Sequence, residues 1–412
     1  MSIRDSRDIQ NMSELAISGG SPVRPEAMPP RYSIGDGERE MLQKMFDYYN
    51  AKGLDPGYDG IFEEQYCDTI VEYMGGGFAD AVCSGTAAVY VAIKALELPQ
   101  DCEVIVSPIT ETGSVNPIIL AGHKPVLADS KPNHYNVDAD RIFSCFTDRT
   151  AAVVLVHCAG QPITEVEAIV KEAHARGIRV VEDCAQTTGG EVNGKKVGCF
   201  GDIAAWSTGS RKIQTAGANG GVVYSSDKDL MRKAVAYADR GKPKLESTYE
   251  ERNPNTYTLP ALNLNADEIG CAMGIASVLR LDETRAKRMA FVMALDERIE
   301  NMSVSCHPYG WTHGDSPFFQ PIIVNETKLS VDKTTFAKAV AAEGIPLNPH
   351  YAFLCEDWGW LRPYLPEGNN TPNARRIRNC SFNVYLNENY GIQEVEHVID
   401  AILKVEEHYR VA

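Results

Sequence analysis

Ser207-Thr-Gly-Ser-Arg-Lys-Ile-Gln-Thr-Ala-Gly-Ala-Asn-Gly-Gly221 is flanked by two apolar runs, Ile203 to Trp206 and Val222 to Tyr224. The pattern predicts a loop between two strands. The loop is small, polar and rich in glycine, and its two cations, Arg211 and Lys212, are adjacent. A lysine here can reach into a cleft at the end of a sheet. Partly desolvated, its amine loses charge and can attack a carbonyl. Ser207 lies five residues earlier and offers a hydroxyl to a phosphate. The plain alternative is a surface lysine in a turn.

The whole chain narrows the choice. Its 412 residues are enough for a large core and for two domains, or for one large domain with an appendage. A formal net charge of −16 disfavours nucleic acid or an anionic membrane as the main partner, because both need a concentrated positive face. No apolar run approaches the roughly 20 residues of a membrane span. The N-terminus, Met1-Ser-Ile-Arg-Asp-Ser-Arg-Asp8, lacks the apolar centre of a signal peptide. The 11 cysteines are scattered, with no C-x-x-C pair, so neither a disulfide framework nor a zinc site is indicated. Reduced, largely buried cysteines in a cytoplasmic protein are the expectation, with no metal.

In chain order, residues 1–50 predict a mixed arm, extended and turn-rich around Met28-Pro-Pro30, then helical over 35–51 with Met41, Leu42, Met45 and Phe46 on one face. A second helix is expected over 58–73. From Phe78 the pattern is regular. Helices are expected over 84–96, 114–121 and 164–176, and strands over 103–108, 125–129, 151–157, 178–183, 203–206 and 222–224. Strands that are apolar throughout and alternate with helices predict a mainly parallel sheet covered on both faces. Such sheets bind ligands beyond the carboxyl ends of their strands. His157, Asp183, Ser207 and Lys212 all fall at or just after such ends, which makes them candidates for one site. Beyond Asp282 a smaller α+β unit is expected, with helices over 283–302, 333–343 and 392–409 and a strand over 318–324. The division is residues 1–50, 51–282 and 283–412.

Each candidate has a plain reading beside the functional one. The start Ser84-Gly-Thr-Ala-Ala88 offers bare amides and hydroxyls to an anion, or simply an N-cap. Asp183 either holds a proton on a heterocyclic nitrogen or caps the next turn. His157 faces the cleft or is a structural histidine. Asn348-Pro-His-Tyr351 lines a pocket or is a surface turn, and Trp358, Trp360 and Tyr364 pack in the core or meet a ligand. Arg211 and Arg240 meet an anion or are solvated. A lysine amine, a carboxylate and a phosphate cradle in one cleft are what pyridoxal 5′-phosphate (PLP) requires.

Several separated motifs together resemble the DegT/DnrJ/EryC1/StrS family of sugar aminotransferases. They are Ser84-Gly-Thr-Ala-Ala88, Gly122-His-Lys-Pro-Val-Leu-Ala-Asp129, His157-Cys-Ala-Gly-Gln-Pro162, Glu182-Asp-Cys-Ala-Gln186, Gly201-Asp-Ile-Ala-Ala-Trp-Ser207 with Lys212, and Asn263-Leu-Asn-Ala-Asp-Glu268. The resemblance implies an α/β fold-type I PLP enzyme, a homodimer with interface sites. The activity it implies is transfer of an amino group from glutamate or glutamine to a keto-sugar, nucleotide-linked in the family's common case, or to a ketocyclitol. Lys212 matches the lysine that bonds the cofactor, Asp183 the partner of the pyridine nitrogen, and Gln186 the residue near the ring hydroxyl. Gly85, Thr86 and Ser207 match the phosphate cradle. Asn265 matches an asparagine that reaches the phosphate from the neighbouring subunit, or else it caps the next helix. Glu111 stands where the family usually has an aromatic residue over the ring, and it meets substrate or cofactor edges or marks a slip of one residue. The family's T-x-G-E-G-G reads Thr215-Ala-Gly-Ala-Asn-Gly-Gly221, with one extra residue and no glutamate, and its aspartate-methionine is replaced by Thr164-Glu165. These departures mark a divergent branch. A PLP lyase or dehydratase, or a non-catalytic PLP- or sugar-binding regulator, are the alternatives. Related dehydratases carry histidine in place of the lysine.

Overall fold

The computed structural model describes residues 14–411; the polar N-terminus considered above as a signal segment lies outside them. The regular middle of the chain forms β1 (Phe78–Val82), β2 (Glu103–Val106), β3 (Lys124–Leu127), β4 (Thr150–Val156) and β5 (Arg179–Asp183). A short hairpin, β6 (Glu191–Val192) and β7 (Lys195–Lys196), precedes β8 (Ile203–Ser207) and β9 (Gly221–Ser225). The main sheet has the order β1-β9-β8-β5-β4-β2-β3. Strands β3, β2, β4, β5 and β8 are parallel, and β9 runs antiparallel to both neighbours. The sheet is therefore mainly parallel, and the stretch from Ser207 to Gly221 joins the two strands of a hairpin.

Strand residues alternate between two buried faces. Val154 and Val156 pack with the helices Gly85–Ala95 and Lys228–Ala238, whereas Val153 and Leu155 pack with the helix Val166–Ala175. Ala204 and Trp206 meet the helices Asp36–Lys52, Ile61–Met74 and Glu268–Leu279. Covering both faces is what permits strands without polar alternation. Each fully buried aliphatic side chain of β4 contributes about 1.5–3 kcal/mol relative to exposure.

A second sheet is antiparallel throughout, in the order β10 (Cys306–Pro308), β11 (Phe319–Val324), β13 (Ser381–Tyr385), β12 (Leu347–Asn348). The helices Leu281–Met302, Lys333–Ala342 and Ile392–Tyr409 enclose its core. Leu15 and Met28 from the arm are buried in that same core, and the buried Glu343 accepts hydrogen bonds from the amides of Ala16 and Val23. The arm is thus joined to the far end of the chain.

Most expected elements fall within a few residues of their places. Phe46 departs from its predicted apolar face and is 43% exposed. The helix Glu268–Leu279 escapes the periodicity argument because it is buried nearly all round and carries two internal glycines. One of them, Gly274, lies against Tyr66, where a Cβ would come within 2.6 Å of the ring. Among the described residues no helix is long and apolar enough to cross a membrane. Of the aromatic loop, Trp358 packs on the core and stacks on Trp360, while Trp360 and Tyr364 are exposed.

Glu63 illustrates the cost of an enclosed charge. It is 6% exposed. Burial and the nearby Asp80 carboxylate push its pKa from 4.5 up to about 8, against the Asp59 amide that hydrogen-bonds it. A carboxyl with a raised folded-state pKa binds more protons when folded, so stability falls as pH rises from its unfolded value through its folded one. Glu63→Gln should flatten the loss of denaturation free energy between about pH 5 and 8, measured in denaturant titrations at several pH values. An unchanged pH slope would contradict the assignment.

Candidate active site

The carboxyl ends of the parallel strands gather the predicted residues. Strand β5 ends in Asp183, which is 3% exposed. Its Oδ1 accepts the Ala185 amide at 3.0 Å, so the turn-capping reading holds for that oxygen. Its Oδ2 accepts the Ser114 hydroxyl at 2.6 Å, and Ser114 in turn contacts the Thr110 hydroxyl at 2.7 Å. Burial pushes Asp183 above the ordinary carboxylate range, while the Ser114 hydroxyl, the Ala185 amide and the Lys212 charge pull it back. Sequence reasoning missed Ser114. The signal was a pair of hydroxyls, Thr110 and Ser114, around Glu111.

Lys212 follows β8 in an irregular loop. Its Nζ lies 4.7 Å from the centre of the Phe318 ring. Burial lowers the amine below the ordinary lysine value, and the charges of Asp183 and Glu111 oppose that shift. A lysine so placed sheds its proton more readily than a surface one. Lys212, Glu111 and Gln186 share the wall of a cavity of about 940 Å³ with Tyr351, Phe318 and Asn383. The turn at residues 348–351 therefore lines a pocket. Gln186 is buried, and its Oε1 accepts the Ala159 amide at 2.9 Å. Glu111 accepts from the Gly113 amide at 2.7 Å and the Thr112 hydroxyl at 2.9 Å, so its carboxylate caps a turn at the cavity edge.

The helix Gly85–Ala95 begins against the end of β8. The Ser84 hydroxyl accepts the Ala87 amide at 3.1 Å, which is ordinary capping. That cap leaves the amides of Gly85 and Thr86, which a helix cannot satisfy internally. A Cβ on Gly85 would come 2.4 Å from the Cβ of Ser207, and one on Gly113 would come 2.7 Å from the Thr86 hydroxyl. Gly85, Thr86 and Ser207 therefore converge, and amides beside hydroxyls at a helix start suit an anion.

Other candidates lie elsewhere. His157 is wholly buried; its Nδ1 accepts the Ile163 amide at 2.9 Å and its Nε2 meets Glu182 at 3.1 Å. It is a structural histidine. Glu182 also takes the amides of Gly198, Phe200 and Gly201, so within the His157, Glu182 and Cys184 group the carboxylate is occupied with holding the segment between β7 and β8. Asn265 lies outside the Lys212 cavity. Its Nδ2 donates to Asn263 at 2.8 Å and its Oδ1 accepts from Lys244 at 3.3 Å. The helix cap expected of Asn265 belongs instead to Asp267, whose carboxylate accepts the Gly270 amide at 2.8 Å. Arg211 is exposed on the cavity wall, and Arg240 is engaged with Asp239 and the Tyr58 hydroxyl.

The close approach of Gly85 and Ser207 is testable. Gly85→Ala should destabilise the protein by about 1–3 kcal/mol in denaturant unfolding, because the new methyl group has no room and neighbouring backbone must shift. A stability within error of the unsubstituted protein would contradict the packing.

Residues 55–403 match the sequence pattern of the DegT/DnrJ/EryC1/StrS aminotransferase family. A protein of Streptoalloteichus tenebrarius named for L-glutamine:3-amino-2,3-dideoxy-scyllo-inosose aminotransferase activity is 32% identical, over 95% of this chain and 98% of its own. GDP-perosamine synthase of Caulobacter vibrioides is 31% identical, over 70% of this chain and 76% of its own. Among solved structures, a GDP-4-keto-6-deoxymannose-3-dehydratase with a trapped PLP–glutamate geminal diamine has the same fold, with a TM-score of 0.81 and 19% identity over 91% of this chain and 99% of its own. The chain belongs to the DegT/DnrJ/EryC1/StrS aminotransferase family, and it is an enzyme of that PLP-dependent class.

Proposed function

We propose that this enzyme moves an amino group from glutamate or glutamine to a ketone on a sugar, nucleotide-linked, or on a cyclitol. The reading is carried by one observation: the Lys212 amine, the buried Asp183 carboxylate and the Gly85–Thr86–Ser207 cradle meet at one edge of the sheet. The two relatives support the two acceptor classes, since one is named for a cyclitol derivative and the other for a nucleotide-linked amino sugar. A lysine at position 212, where related dehydratases carry histidine, favours transfer over dehydration.

The residues fit PLP chemically. The bare glycine at position 85 lets the helix start approach Ser207, so the unsatisfied amides of Gly85 and Thr86 stand beside the Ser207 hydroxyl, a donor set that suits a phosphate. We assign Gly85, Thr86 and Ser207 to the phosphate, Asp183 to the pyridine nitrogen, and Gln186 and Glu111 to the edges of the ring. When bound, the cofactor supplies an aldehyde carbon and an electron-accepting ring. Asp183, enclosed and steered by Ser114, holds a proton on the ring nitrogen. Burial lowers the Lys212 amine below the ordinary lysine value, and with the cofactor bound Nζ would take a proton from the α-carbon of the donor and deliver it to the former aldehyde carbon of the cofactor. The Phe318 ring lies under that amine, and Tyr351 lines the same cavity. We further propose a homodimer in which Asn265 serves the phosphate across the interface; its place outside the Lys212 cavity favours that role over one within its own subunit.

The test is the absorbance of the protein with PLP, before and after L-glutamate or L-glutamine, with Lys212→Ala beside it. The donor should convert the visible band, and the substitution should abolish that band and lower transfer by at least about 10²–10⁴-fold. A bound cofactor that neither donor converts would point to lyase or regulatory chemistry. No binding of supplied PLP would overturn the proposal.

A further inference from the structure

The loop that carries Lys212 has no regular structure between β8 and β9 and is rich in glycine. Backbone bonds within it, such as the Ser210 amide to the Ala218 carbonyl at 3.2 Å and the Lys212 amide to the Gly209 carbonyl at 2.9 Å, and the Ser277 hydroxyl that accepts the Thr215 amide at 2.9 Å, hold parts of it. The arm adds a side chain that spans the two residues beside Arg211 and Lys212. Arg31 donates through Nη1 to the Ser210 carbonyl at 2.9 Å and through Nη2 to the Ile213 carbonyl at 3.1 Å. Those two residues flank Arg211 and Lys212. The third nitrogen, Nε, donates to Glu388 Oε1 at 3.2 Å.

Glu388 is bonded through both oxygens. Its Oε2 accepts from Arg288 at 2.8 and 3.2 Å. Arg288 is 1% exposed, and its Nη1 donates to the Pro317 carbonyl at 3.3 Å. The next residue is Phe318, whose ring faces the Lys212 amine. One carboxylate is thus tied to the turn that carries the lysine and to the wall on which its amine rests. The arm is seated beside it, because Asn387 donates to the Pro29 carbonyl and Asn389 to those of Pro30 and Arg31.

We propose that Arg31, Glu388 and Arg288 form a clamp that positions Lys212, and that Arg31 is a positioning residue of the reaction. The inference rests on Lys212 being the reacting amine. Every nitrogen of Arg31 has a protein acceptor, so its task is to hold the loop. A lysine at this position would lack the planar fork that spans two carbonyls and a carboxylate. Misplacing a reacting group by about 1 Å can cost about 10²-fold in rate.

The experiment uses the full chain with Arg31→Met, Arg31→Lys, Glu388→Gln and, as the arm control, Arg24→Met. Arg24 bonds Glu394 and His397 and does not touch the Lys212 loop. Two readouts are followed: hydrogen–deuterium exchange of the peptide over residues 208–214 without cofactor, and the pH midpoint of the visible band with PLP. Arg31→Met and Glu388→Gln should speed exchange of that peptide, move the midpoint and lower kcat by about 10²-fold with a smaller change in KM. Arg31→Lys should recover part of each effect. Arg24→Met should leave both readouts unchanged whatever it does to Tm. Exchange and midpoint unchanged in Arg31→Met, or changed equally in Arg24→Met, would overturn the clamp. If the unsubstituted protein binds no PLP, the role given to Lys212 fails, and the exchange data still decide whether Arg31 holds the loop.

Discussion

Two missing side chains let the helix Gly85–Ala95 begin where it does. A Cβ on Gly85 would collide with Ser207, the last residue of β8, and a Cβ on Gly221, the first residue of β9, would come 2.3 Å from the Ser84 carbonyl oxygen. The helix start is therefore wedged between the two ends of the hairpin loop. That contact brings bare amides to the sheet edge and fixes where the loop departs and returns. Lys212 can face Asp183 only from a loop anchored at those points.

Electrostatics then follows from enclosure. Asp183 and Lys212 are each driven toward neutrality by burial, and each resists through the other's charge. Groups shifted by burial and by a specific charged partner gather at functional sites, and this pair is such a case. The hydroxyl of Ser114 and the amide of Ala185 hold the carboxylate in place, so it is available without side-chain rearrangement.

Much of this was legible in the sequence because it depends on local signals. Apolar runs mark strands, and the residues at their ends, Asp183, Ser207 and Lys212, are candidates by position alone. The order of several motifs carried the family and the fold. What escaped was non-local. Arg31 reads as one more charge after two prolines, and its meaning depends on Glu388, 357 residues away. The helix Glu268–Leu279 is buried nearly all round, so no polar face announces it. His157 sits at a strand end like Asp183, yet its ring turns to Glu182 and away from the cavity, a choice made by the amides of residues 198–201.

The central claim is that the amine of Lys212 is the group that bonds the cofactor. Reduction of the PLP-treated protein with borohydride, followed by digestion and peptide mass spectrometry, tests it most directly. The account predicts a phosphopyridoxyl mass on the peptide that contains Lys212, at one modification per chain. Modification confined to another lysine, or none at all, would contradict it.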